Sequence, residues 1–109
     1  MNRDEYLLTC LIEECVEVAH RASKALRFGL NEVQVEQPKR RPNDGKTNEE
    51  RLADELGDLF AIVEMLEDLG FKRTDTVLTR TMKQDKVRRY MDYSRTKGTL
   101  HDVDPPKTS

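Results

Sequence analysis

Histidine and cysteine are scarce in this 109-residue chain, with two of each. Cys10 and Cys15 stand five apart, with no Cys-x-x-Cys pair and no histidine cluster beside them. Neither a zinc site nor a disulfide framework follows. His20 completes Glu17-Val18-Ala19-His20, the Glu-x-x-His spacing of di-iron carboxylate bundles. Such a site needs the motif twice, and the only other histidine, His101, has Gly98 three residues before it. No Ser, Cys or His constellation suits a covalent nucleophile. No apolar run is long enough to span a bilayer, and no secretory signal pattern is present, so a reducing cytoplasm is the expected setting. Internal repeats are absent, and Val33–Val35 is the sole hint of strand-like alternation.

Hydrophobic residues are few as well, at 36%, whereas charged residues reach 37% against a typical ~25%. The apolar residues fall in long periodic blocks, which disorder does not produce. The expectation is one slender all-α domain over residues 1–98 that completes its core against another copy of itself, as a homodimer or homotetramer. A mobile tail is expected over 99–109. A net charge of −2 and a pI of about 5.7 give the whole chain no electrostatic case for duplex nucleic acid. The charge is nevertheless segregated. Residues 49–68 hold eight acids and one base, and residues 72–97 hold nine bases and three acids.

A first helix is expected from about Asn2–Asp4 to Arg27–Phe28, stopped by Gly29. Residues 30–46 form a long loop containing Pro38, the basic run Lys39-Arg40-Arg41 and Asn43-Asp44-Gly45, a length often used for lids. Thr47 and Glu50 make a capping box for a second helix that runs to about Leu69 and stops at Gly70. A third helix starts near Thr74–Asp75, continues to about Arg95 and ends before Gly98. The architecture expected is an antiparallel hairpin plus a third helix, assembling into a four-helix bundle through oligomerisation.

Two acid pairs stand out on this frame: Glu14-x-x-Glu17 on the first helix and Glu55-x-x-Asp58 on the second. A three-residue step turns about 300°, so each pair projects from roughly one side. Leu7, Leu11, Val18 and Ala25 share the side of Glu14; Leu52, Leu56, Leu59 and Ile62 surround Glu55. Cys15 falls on the apolar side, as a small core residue. Carboxylates along core-facing stripes repel one another, by up to ~4 kcal/mol per close pair, so positive charge must compensate. A hard divalent cation with oxygen ligands, magnesium or manganese, is the expected partner, with an open side for phosphate. Lys83, Lys86, Arg88 and Arg89 offer charge for distal phosphate oxygens, and Arg21 and Lys24 extend the face of Glu17. Pocket walls for a base would come from Phe28, Leu30, Phe60, Tyr90 or Tyr93.

Glu13-Glu14-Cys15-Val16-Glu17 and Asp54-Glu55-Leu56-Gly57-Asp58-Leu59 resemble the EExxE and ELGDL signatures of MazG-like, all-α nucleoside triphosphate pyrophosphohydrolases, over roughly residues 5–93. In that pattern Gly57 permits close helix approach. The resemblance implies that Glu14, Glu17, Glu55 and Asp58 ligate magnesium. It also implies hydrolysis between the α- and β-phosphates, giving a nucleoside monophosphate and pyrophosphate. Asp85-Lys86-Val87-Arg88-Arg89-Tyr90 is similar to the family's basic third helix, which makes Lys86 and Arg89 phosphate candidates. The rival reading is a non-enzymatic oligomeric helical interaction module, which explains the stripes but not acids within them.

Overall fold

In the computed structural model, residues 1–33 and 45–102 are described, and every regular element among them is helical: α1 Arg3–Phe28, α2 Asn48–Asp68 and α3 Val77–Lys97. The basic run 39–41 and the rest of 34–44 lie outside the described residues. Local chemistry explains the helix limits. The Glu5 N–H donates to Asn2 Oδ1 at 2.9 Å, and Asp4 and Glu5 place negative charge at the positive end of α1. Gly29 closes that helix with φ 99°. The capping box of α2 is present: the Glu50 N–H donates to Thr47 Oγ1 at 3.1 Å, and the Thr47 N–H to Glu50 Oε1 at 3.2 Å.

The third helix starts later than expected, at Val77 rather than near Thr74–Asp75. Thr76 and Thr79 cap reciprocally, by Thr79 N–H to Thr76 Oγ1 at 3.1 Å and Thr76 N–H to Thr79 Oγ1 at 2.8 Å. Asp75 cannot serve as the cap because hydrogen bonds from Arg73 and then Arg80 hold its carboxylate, below the usual carboxylate range. The helix also runs two residues past Arg95, to a left-handed Gly98. Of the segment expected as a tail, residues 99–102 turn back on α3. Thr99 and Leu100 N–H donate to Ser94 O, and Arg95 Nε donates to Asp102 at 2.7 Å.

The chain divides into two units, 1–72 and 73–109. In the first, α1 and α2 pack as an antiparallel hairpin. Its inner residues are buried Leu7, Ala25 and Leu66, with Leu11, Glu14, Val18 and Arg21 of α1 half-buried opposite Leu52, Glu55, Leu56, Leu59 and Ile62 of α2. On α1 the inward row is 7, 11, 14, 18, 21, 25, an alternation of fours and threes that keeps one seam facing a neighbour. A second row with the same rhythm is displaced by one residue: Leu8, Ile12, Cys15, Ala19, Ala22 and Leu26. All six are exposed. Cys15 is therefore not a core residue of the hairpin, because the one-residue offset turns it about 100° from the row that meets α2.

The polypeptide is clasped where the two helices approach the loop. Asn48, 2% exposed, donates from Nδ2 to Gly29 O at 2.8 Å. Its backbone N–H donates to Glu32 O and that of Glu49 to Leu30 O, each at 2.9 Å. Gly57 behaves differently from expectation, since a methyl group added there meets nothing within 4 Å. It lies well away from the α1-facing residues of α2, so no close approach within the hairpin requires it. Gly57→Ala should accordingly raise stability in chemical denaturation by about 0.5–1 kcal/mol, through helix propensity alone. A loss of stability would mean that another helix approaches Gly57. In the second unit, α3 buries none of its residues, and Val77, Leu78, Met82, Val87 and Met91 are all exposed.

Candidate metal centre

Midway along the hairpin, one carboxylate oxygen from each of Glu14, Glu55 and Asp58 lies within 4.8 Å of the others. The sequence pattern brings them there directly. Glu14 belongs to the inward row of α1. On α2, Glu55 faces α1 and Asp58 stands one three-residue step further on, at the margin of the interface. Glu14 and Glu55 are half-buried and Asp58 is exposed. Partial burial, followed by the charges of Asp58, Glu55, Glu17 and Glu13, pushes the Glu14 carboxyl above its ordinary value of 4.5. Three acids thus converge from two helices, and Glu14, with acids around it on both, resists ionisation.

Glu17 is not in this group. A three-residue step leaves it about 60° short of a full turn from Glu14, and its side chain is exposed. Part of the compensating charge comes from the protein. Arg21 Nε lies 4.0 Å from Glu55 Oε1, with both side chains only 18% exposed. The sequence places Arg21 on the face of Glu17 as a phosphate contact, whereas the structure sets it beside Glu55. The signal was the row itself, because Arg21 follows Glu14 by seven residues, two turns along the same seam. Lys24, one turn further, is half-buried.

The other expected site residues fall elsewhere. Lys83, Lys86 and Arg89 stand on α3 in the second unit, where Lys86 and Arg89 line a groove of ≈ 350 Å³ with Tyr90 and Tyr93. Phe28, Leu30 and Phe60 are exposed on the hairpin. A hollow of ≈ 430 Å³ lies about two turns from Glu14, among Met1, Tyr6, Leu7, Met65 and Leu69, and contains none of the expected residues. Among the described residues no helix is long and apolar enough to cross a membrane. No protein-family model matches the chain, and comparisons with curated proteins and with solved structures give no match.

Proposed function

We propose that the hairpin is the metal-holding part of a magnesium-dependent nucleoside triphosphate pyrophosphohydrolase, as its resemblance to the MazG-like enzymes implies. The observation that carries this reading is the convergence of Glu14, Glu55 and Asp58 oxygens within 4.8 Å. The donor set fits the ion: oxygens bound at ~2.0–2.1 Å around an octahedron lie about 3–4 Å apart, so small side-chain rotations suffice. When bound, magnesium would neutralise charge on the leaving pyrophosphate and make a water acidic enough to attack. Manganese suits the same ligands.

Each residue then has a task. Glu14, Glu55 and Asp58 hold the ion, and Glu17 is the fourth acid, reached from the exposed side of α1. Arg21 sets a compensating positive charge beside Glu55. Lys24 supplies charge for distal phosphate oxygens, in a cytoplasmic setting. Product analysis tests the reaction: a (d)NTP incubated with protein and magnesium should yield (d)NMP and pyrophosphate. Diphosphate with orthophosphate as the products would overturn the assignment.

The same reading includes a homo-oligomer, dimer or tetramer, built as a four-helix bundle. Its support is the exposed row Leu8, Ile12, Cys15, Ala19, Ala22, Leu26, whose rhythm of fours and threes suits a helix as its neighbour. In an antiparallel pair, the residue one step after an inward one lies on the same side of both helices. Exposed Ala53 and Phe60 of α2 therefore share the face of this row, and Glu17 and Asp58, one step before inward residues, lie on the other. A purely non-enzymatic interaction module uses the same apolar face, but it leaves the three converging acids without a role.

A further inference from the structure

Helix α3 sorts its charges by face. Among described residues from 73 onward the acids are Asp75, Asp85, Asp92 and Asp102, and every one is paired with arginine. Arg73 and Arg80 take Asp75, Arg88 takes Asp85, and Arg95 takes Asp92 and Asp102. Four cations remain, Lys83, Lys86, Arg89 and Lys97, and no carboxylate of the described residues pairs with them. They are not scattered. At 100° per residue they fall with Tyr90 and Tyr93 on one side of the helix, whereas Asp85, Arg88, Asp92 and Arg95 occupy the opposite side. The tyrosines are each 61% exposed, and two of the lysines lie over their rings, Lys86 at 5.9 Å from the Tyr90 centroid and Lys97 at 5.5 Å from that of Tyr93.

We infer that this side of α3 binds single-stranded nucleic acid. Cations and exposed aromatic rings sharing one side of a helix match a ligand that carries both phosphates and flat bases. Length chooses between a strand and one nucleotide. Lys83 and Lys97 are fourteen residues apart, about 21 Å along a helix, so a single triphosphate cannot meet all four cations while a strand of several nucleotides can. Shape argues against a duplex, whose stacked and paired bases offer no free faces to Tyr90 and Tyr93. The inference is independent of the metal site and requires no catalysis.

Fluorescence anisotropy with a labelled twelve-nucleotide oligothymidylate and the full chain in EDTA tests it. Binding should weaken with salt at a slope of about −3 in log K against log concentration, from four cations at ~0.7 each on a single strand. Tyr93→Ala and Tyr90→Ala should each weaken binding about fivefold or more. Adjacent residues supply the control. Arg89→Gln and Arg88→Gln remove the same charge from points 100° apart, one beside the tyrosines and one paired with Asp85, so Arg89→Gln should reduce affinity the more. Equal loss in both variants, no binding, a duplex bound as tightly, or displacement of the oligomer by equimolar nucleoside triphosphate would each overturn the proposal. Helicity by circular dichroism checks that every variant is folded.

Discussion

Glu14→Gln should melt, in EDTA, at the same temperature as the parent protein or higher, and should lose both the magnesium-induced rise in melting temperature and the hydrolytic activity. Glu14 is held above its ordinary 4.5 by partial burial and by four neighbouring acids, so ionising it opposes folding. The sign with pH follows. A carboxyl raised in the folded state binds more protons there than in the unfolded chain, between 4.5 and its folded value. The parent should therefore gain stability relative to Glu14→Gln as pH falls from neutral toward 4.5. Asp75 acts oppositely and in another window: lowered from 3.8, it contributes stability that is lost only as pH falls below that value.

On the proposed metal site, magnesium at a hundredfold excess over Kd should stabilise the folded parent by about 2.7 kcal/mol, and a variant lacking a ligand should forfeit most of that. Residues merely supporting a metal site cost ~10–100-fold when replaced, so loss of a ligand should reduce turnover by at least about 100-fold. Melts in EDTA and in magnesium, with a pyrophosphate assay, read all of this. A variant less stable in EDTA with an intact magnesium shift would make Glu14 structural and end the metal reading. Glu55 is the poorer test. Its replacement relieves repulsion but also breaks the contact with Arg21, and the two effects oppose each other.

On the proposed assembly, Ile12→Glu should leave a species sedimenting at the chain mass of 12.7 kDa where the parent sediments as an oligomer. Ile12 is 64% exposed on the hairpin, so on a free surface its replacement would change stability by no more than about 0.5 kcal/mol. In the middle of a helix–helix seam the new carboxylate is buried without a partner, a fault of about 3–5 kcal/mol. The side chain lies on the face away from Glu17 and Asp58, so the acid cluster is not touched directly. Sedimentation of both proteins at micromolar concentration decides. A parent that is already 12.7 kDa, or a variant that assembles equally well, would rule out this face as the interface.

The helices and most of their limits could be read from the residues, because caps act locally: Asn2, Thr47 with Glu50, Gly29 and Gly98 need only neighbours a few positions away. Facing was harder. On α1 the rows beginning at Leu7 and at Leu8 have the same rhythm, and periodicity cannot say which meets α2. Cys15 was misplaced for that reason. Within the first acid pair, the 60° between Glu14 and Glu17 separates a half-buried carboxylate from an exposed one, a distinction that shared spacing does not reveal. Over 72–97, counting nine bases against three acids hides what matters on α3. Aspartate–arginine pairs three apart, Asp85 with Arg88 and Asp92 with Arg95, neutralise one side and leave the other cationic.

The clasp around Asn48 makes the length of the connection between α1 and α2 a free variable. Gly29, Leu30 and Glu32 are bonded directly to Asn48 and Glu49, so the chain between them begins and ends at one fixed point. Whatever is threaded there closes a ring whose entropic cost grows only logarithmically, by about 0.6 kcal/mol for each doubling. The hairpin can thus carry connections of very different size, even an inserted domain, without moving Glu14 relative to Glu55.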